Sequence, residues 1–462
     1  LGAITILAIW QMGYKSGFVG NWLWSYQFPF AILLGLTGFG VFRFRRTRAM
    51  TIPQLIEMRY SRKLRILCGL TTYVSGVLNM GIFPIAGANF IVFFCGLPTH
   101  VDLLGISCPT VLLIMIILVG ISVLICLTGG QVALIITDFL QGVFVSVILF
   151  GFVIIVYKTM RWSHFVEAYQ IMDGSRALVD PFVRSGSSDF GLGFFLIQIF
   201  WMFYLIVAWS PDTMQVSSAK DAKEAKLMRS LLQFKYLIGA SMGLFVLPLA
   251  AYVIMHHNDF ADMAAKANFI LQDVDNPYLR SQLIVPAAVA QIIPPGFLGA
   301  FVAVIVFAFI ATHQTYLLAW GGTLIQDVVI PLKNKPLSLK SHLLLLRLSV
   351  VVVAVFIIIF SMYFKMTDGI FMFMALTGAV YTSGAGIVIL GALYWSRATT
   401  KGAWTAMIAG TALSLFGFIY RYKINPEFPL NGTQIAFGTS ILSSIIFFLV
   451  SLLDRHSTKF NL

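Results

Sequence analysis

The sequence predicts an all-α polytopic membrane protein, and three observations carry that expectation. Hydrophobic residues make up 59% of the 462 positions and charged residues 11%, against about 25% charged in ordinary soluble domains. Apolar runs long enough to cross a bilayer, roughly 20 residues each, recur from end to end. The loops between them alternate in charge, as the positive-inside bias requires.

Complete spans fall near 18–42, 66–94, 110–127, 131–157, 189–209, 227–256, 297–326, 341–364, 369–396, 402–422 and 433–453. The run from Leu1 to Met12 ends at GYKSG and is too short to span. It lacks the cationic front and cleavage site of a signal peptide. It reads as the second half of a helix, so the chain is expected to be N-terminally truncated, a half helix followed by about 11 complete spans.

Charge placement orients the chain. Segment 43–65 holds eight Lys/Arg and one Glu and is expected to be cytoplasmic, with 211–235, 328–347, 397–401 and the C-terminus on the same side. Together these carry 21 positive and 5 negative residues, whereas the opposite loops carry 10 and 11. The formal net charge of +13 therefore follows membrane topology, and a nucleic-acid partner is not expected. The predicted location is the cell membrane (plasma or inner), multi-pass, with the lipid bilayer as constant partner. Oligomeric state is left open. Cys68 and Cys126 read as core thiols, while Cys95 and Cys108 flank one external loop and could pair if that face is oxidising. No Cys/His cluster has zinc spacing.

The chain reads as one transmembrane domain, 1–462. A first five-helix half ends at Tyr157 (1–157), a second covers 189–396, and two extra helices occupy 397–462. Inverted repeats of this kind put a binding site at the midplane, where broken helices expose backbone groups. Segment 257–296 is expected to lie across the outer face as a small cap. TIPQLIEMRY opens with a helix-favouring Thr-x-Pro arrangement and sets Arg59, Arg62, Lys63 and Arg65 at the interface, where long side chains can snorkel.

Of all the charged residues, Asp138 alone sits well inside an apolar run. An intramembrane carboxylate is costly and usually faces a cavity or ion path. Thr137, Asp138 and Gln141 share one helix face (i, i+1, i+4). That polar stripe is either a structural hydrogen-bond patch or part of a cation route.

Four motifs occur in order. They are Thr128-Gly129-Gly130, Ala133, Thr137-Asp138 and Gln141; TIPQLIEMRYSRKLRIL; SAKDAKEA (Ser218 to Ala225); and GALYWSRATTKGAW (Gly391 to Trp404). With them the chain resembles the sodium/solute symporter family, which includes the sodium–glucose transporters, over nearly its whole length. The resemblance implies a LeuT-like 5+5 inverted-repeat core, alternating access, and a co-transported sodium ion with no organic cofactor. It places sodium between the break in the first core helix, near Leu1, and the eighth core helix. The matching positions there are Ala308, Ala311, Thr312 and Thr315, which share a face. Carbonyls of Ala308 and Ala311 with the Thr312 hydroxyl suit a hard cation, by analogy with the hard divalent ions. Asp138, with Thr137 and Gln141, would lie on the inner ion path. The chain departs from the family pattern at Ala311-Thr312, where Ser-Ser is usual, and at Met214-Gln215, where Gln-Arg is usual.

Alignment with the family gives Trp24, Gln27, Ser75, Asn79 and Tyr204 as candidate solute contacts. Each is alternatively a helix–helix hydrogen-bonding or interfacial residue. Two sugar contacts of the family fall at Met374 and Trp24, which argues against a close copy of the sugar transporters. The expected partner is a small polar organic solute: a sugar, polyol, amino acid or carboxylate. His313, beside Thr312, reads first as a buried neutral imidazole. Its alternative is a proton carrier, which would make the protein a proton-coupled symporter. A non-transporting sensor or channel on the same scaffold is the remaining alternative. No nucleophile–base constellation in the spans suggests an enzyme.

Overall fold

Two glycines divide the first half of the chain. In the computed structural model, which describes residues 2–103, 105–170, 176–180, 190–235, 241–272, 274–333, 337–364 and 369–454, helix α1 (Ala3–Ser25) is interrupted at Gly17 (φ 57°, ψ −141°). The 50-residue α7 (Thr110–Thr159) is interrupted at Gly130 (φ 56°, ψ −147°). Both conformations lie in the left-handed half of backbone space, where a Cβ is disfavoured. Each break falls where one expected segment ends and the next begins, so the GYKSG and Thr-Gly-Gly signals mark real changes of direction. The first helix ends inside GYKSG, at Gly17, and a second short helix continues to Ser25.

Between these breaks lie α2 (Gln27–Thr37), α3 (Val41–Arg46), α4 (Ile52–Arg59), α5 (Arg62–Met80), α6 (Phe83–Phe94) and a hairpin of β1 (His100–Leu103) and β2 (Ile106–Pro109). The span expected at 18–42 is thus divided, because the left-handed Gly38 caps α2. After α7 come α8 (Trp162–Gln170), α9 (Arg176–Val179), α10 (Leu192–Tyr204), α11 (Ser210–Ser218), α12 (Ala222–Lys235), α13 (Ser241–His256), α14 (Ala261–Ile270) and α15 (Pro277–Val289). The chain then runs through α16 (Pro295–Thr323), a π-helical turn at Leu324–Val329, α17 (Ile330–Lys333), α18 (Leu339–Tyr363), α19 (Ile370–Tyr394), α20 (Thr400–Ile419) and α21 (Gly432–Leu453).

Eight helical stretches among the described residues are long and apolar enough to cross a membrane, and Leu192–Tyr204 and Leu244–His256 are shorter apolar helices. Thr110–Thr159 alone covers two expected spans, so every expected span has a helix.

Several of the basic loops are joined by hydrogen bonds. On one end, Arg43 donates to the Leu393 carbonyl, Arg45 to that of Ala219, and Arg62 to that of Pro331. Arg59 is buried and donates to the carbonyls of Ser396 and Ala398, both at 3.1 Å. Arg59 and Arg65 therefore reach into the protein rather than snorkel, while Lys63 remains exposed. Burial pulls the Arg59 guanidinium down from its ordinary value. Helix α4 begins as its sequence predicts: Thr51 accepts from the Gln54 amide and Pro53 occupies the first turn.

The opposite end joins α8 to the 257–259 turn through His257–Glu167 at 3.0 Å and His164–Asp259 at 3.6 Å. Helix α15 packs against α1 and α13 with Leu283, Val285 and Val289 buried, so part of the expected cap belongs to the core. Cys95 and Cys108 are free thiols.

Helices α19, α20 and α21 pack together. A buried hydroxyl cluster joins them: Ser383 lies 2.8 Å from Thr439, and Ser414 donates to both. Apolar matching alone gives little drive for helix association in lipid, whereas small residues and shared hydrogen bonds do.

Candidate ion and solute site

The start of α1 lies directly against α16. A Cβ built on Gly2 would collide with the Thr312 hydroxyl oxygen, so the backbone of the first turn reaches a position that a larger residue would close. Leu1, expected to supply a carbonyl here, lies outside the described residues. Thr312 donates its hydroxyl proton to the Ala308 carbonyl at 2.8 Å, and Thr315 donates to Ala311 at 3.0 Å. With those protons held on the helix, each hydroxyl oxygen turns lone pairs outward, the arrangement that suits a cation.

The second half of α7 brings its polar stripe to the same face. Asp138 Oδ2 lies 3.5 Å from Thr315 Oγ1, and Thr137 Oγ1 donates to Gln314 Oε1 at 3.2 Å. Gln141 lies one turn beyond Thr137, and its buried Oε1 has no hydrogen-bond partner among the described residues. The structure therefore joins Ala308, Ala311, Thr312, Thr315, Thr137 and Asp138 into one polar seam between α7 and α16.

His313 turns away from that seam. Its Nδ1 bonds to the Phe309 carbonyl at 2.8 Å and its ring stacks on Phe309 at 3.8 Å between centroids. A carbonyl partner accepts only, so the neutral ring carries its proton on Nδ1.

A cavity of about 200 Å³ opens beside the seam, lined by Asn79, Gln198, Trp201, Trp209, Tyr316 and Phe371 among others. Tyr316 lies one turn after Thr312 on α16, which connects the cavity to the polar seam. Trp209 donates its indole N–H to the Tyr316 oxygen at 3.1 Å. It stands where α10 has ended and α11 begins, a helix break enforced by Pro211.

Of the candidate solute contacts, Asn79 reaches this cavity. Ser75 instead donates to the Thr377 carbonyl at 2.8 Å, and Tyr204 donates to that of Ser383 at 2.6 Å. Both tie their helices to α19 and lie outside the lining. Gln27 is buried at the start of α2, also outside it. The Trp24 side chain lies outside the described residues. Sequence reasoning missed Gln198, Trp201, Trp209, Tyr316 and Phe371. The available signals were the Trp209-Ser210-Pro211 break and the i, i+4 relation of Thr312 to Tyr316.

It also missed Asp327, which is more buried than Asp138. Its side chain is 0% exposed, and Oδ1 accepts from Arg65 Nη2 at 3.0 Å and from Thr51 Oγ1 at 2.8 Å. Arg65 also pairs with Glu57. Asp138 is therefore not the one carboxylate deep in a helical span.

A helix start packed on a polar seam, with the α10–α11 break beside the neighbouring cavity, is the arrangement expected of an ion-coupled secondary carrier. The comparisons agree: residues 1–410 match the model of the Sodium:solute symporter family, and the chain belongs to that family. It is 25% identical to a sodium/pantothenate symporter of Escherichia coli, over 87% of this chain and 76% of that one. It is 24% identical to the one from Haemophilus influenzae, over 79% and 68%. The high-affinity proline transporter PutP of Bacillus subtilis is 23% identical over 79% and 70%. Among solved structures, a Na+-coupled sialic acid symporter in a substrate-bound outward-open state superposes with a TM-score of 0.74 at 16% identity, covering 100% of this chain and 89% of that one. The fold is accordingly LeuT-like.

Proposed function

We propose that this chain imports a small organic solute on the inward sodium gradient by alternating access, with its C-terminus in the cytoplasm. Sodium is the co-substrate. It would sit between the first turn of α1 and α16, on the carbonyls of Ala308 and Ala311 and the hydroxyl of Thr312. Thr315, Asp138 and Thr137 would line its inward exit, with Gln141 beyond them. The approach of the Gly2 backbone to Thr312 carries this reading, because it sets the first turn of α1 against a lone-pair-presenting hydroxyl one turn from the Thr315–Asp138 contact. The relatives' names, sodium symporters of pantothenate and a proline transporter, support the reaction class. Binding of ion and solute together would stabilise a closed state and shift the carrier between its two faces.

The test is accumulation in proteoliposomes, with thermal stability measured alongside in sodium, potassium and an inert organic cation. A solute that stabilises the protein only in sodium, and accumulates only down a sodium gradient, supports the proposal. Equal accumulation after complete replacement of sodium overturns it.

A further inference from the structure

The cavity is bordered by a residue with a buried, fixed hydrogen-bond acceptor, among lining side chains that are aromatic and carry no charge. Asn79 is 2% exposed. Its amide nitrogen donates to the Met374 carbonyl at 2.8 Å and to Thr377 Oγ1 at 3.0 Å, the latter hydroxyl itself donating to the Phe373 carbonyl at 2.7 Å. Flipping the amide would set oxygen against the Met374 carbonyl oxygen, so the orientation is determined by the bonding itself. Asn79 Oδ1 is left buried with no hydrogen-bond partner among the described residues, in a residue that lines the cavity. An orphaned buried acceptor costs free energy until something donates to it.

The remaining walls narrow the choice. Trp201, Trp209, Tyr316, Phe371 and Met374 present rings and a thioether, and the lining includes no Lys, Arg, His, Asp or Glu. A net charge brought here would lose its hydration without a counter-charge. The helix end that could compensate an anion is poor for that purpose: α11 begins Ser210-Pro211-Asp212, so Pro211 removes an N–H and Asp212 puts an acid in the first turn. A hexose would need partners for five hydroxyls. Beyond the Asn79 oxygen, the wall offers the Gln198 amide and the Tyr316 and Thr382 hydroxyls. Thr382 already donates to the Gly378 carbonyl at 3.0 Å.

We propose that the solute is an uncharged, flat nitrogen heterocycle or cyclic amide, its face against the aromatic walls and a ring N–H donated to Asn79 Oδ1. This deepens the symporter reading and rests on it. The cavity, about 200 Å³, has room for a single such ring. Selectivity comes from two separable features: the acceptor rejects rings without N–H, and the uncharged wall rejects the same ring carrying a carboxylate.

The test uses the full chain in detergent and measures ligand-induced thermal stabilisation in sodium buffer. The probes are uracil, 1,3-dimethyluracil, orotate, hydantoin, hypoxanthine, glucose, proline and pantothenate. Uracil, hydantoin or hypoxanthine should stabilise, and orotate and 1,3-dimethyluracil should bind at least about tenfold more weakly than uracil. Asn79→Leu should remove the preference for uracil over its dimethyl analogue. Gly378→Ala is a second variant. Its added Cβ would lie 3.9 Å from both Asn79 Nδ2 and Trp209 Cζ3, an ordinary contact. It should fold normally and lose ring binding by intruding on the cavity.

Stabilisation by proline, pantothenate or glucose in place of the rings overturns the proposal, as does ring binding indifferent to N-methylation. Silence of every ring also overturns it. The stability conferred by sodium without solute is scored separately. If that response is intact, the symporter reading survives the failure of the heterocycle. If sodium and potassium act alike and no probe responds, both fall.

Discussion

Gly2 and Thr312 touch across the α1–α16 interface so closely that a methyl group on Gly2 would occupy the space of the Thr312 hydroxyl. Gly2→Ala is therefore expected to weaken sodium binding at least about tenfold, worth about 1.4 kcal/mol. Thr312→Ser keeps the hydroxyl and should retain most of the affinity, whereas Thr312→Val should lose it. Sodium titration of the unfolding temperature distinguishes the three.

Asp327 and Arg65 form the deepest ion pair described, and removing one partner strands the other. Asp327→Asn should destabilise the protein by about 3 kcal/mol. Part of that cost arises because Thr51, which caps α4, also loses its carboxylate acceptor. Arg65→Met combined with Asp327→Leu should recover much of the loss. Additive effects of the two single replacements in a thermal double-mutant cycle would show that the pair is not coupled.

The two backbone breaks should respond differently to substitution. A Cβ on Gly130 meets nothing within 4 Å, so Gly130→Ala carries only the conformational cost of a backbone region nearly reserved for glycine, about 1–3 kcal/mol. A Cβ on Gly17 would lie 2.8 Å from the Tyr169 ring and 2.9 Å from the Leu178 carbonyl oxygen, so Gly17→Ala adds steric conflict to the same strain. Thermal denaturation should rank Gly17→Ala as clearly the more damaging.

His313 donates to its own helix and stacks on Phe309, away from the Thr312 face. Replacing it with Gln should leave the pH profile of solute uptake unchanged while lowering stability. A flattened profile would make the imidazole part of a proton route and favour proton coupling.

Most of the architecture was legible because membrane helices announce themselves twice, in hydropathy and in loop charge. The breaks at Gly17 and Gly130 were also readable, since glycine tolerates the backbone they need. The polar seam was half legible. Thr137 and Asp138 share a face by helix geometry, and the family resemblance supplied Thr312, but no local pattern shows that Gly2 comes to rest on Thr312.

The cavity wall was mostly illegible. Ser75 and Tyr204 have hydroxyls that could face a ligand or a neighbouring carbonyl with equal ease, and here each chooses a carbonyl of α19. Trp201, Trp209 and Phe371 look like any aromatic residues in an apolar run until their helices are arranged. Asp327 escaped notice because its partner Arg65 lies 262 positions away, a separation no periodicity can bridge.

Arg59 gives the basic segment 43–65 a double duty. By its charge it helps tell the insertion machinery which way to thread the chain. In the finished protein the same guanidinium grips the turn between α19 and α20 through the main-chain oxygens of Ser396 and Ala398. Topogenic information and mechanical fastening are thus written in a single side chain. A charge-preserving change such as Arg59→Lys would keep the address while loosening the clasp, because an ammonium cannot reproduce the planar fork that reaches those oxygens.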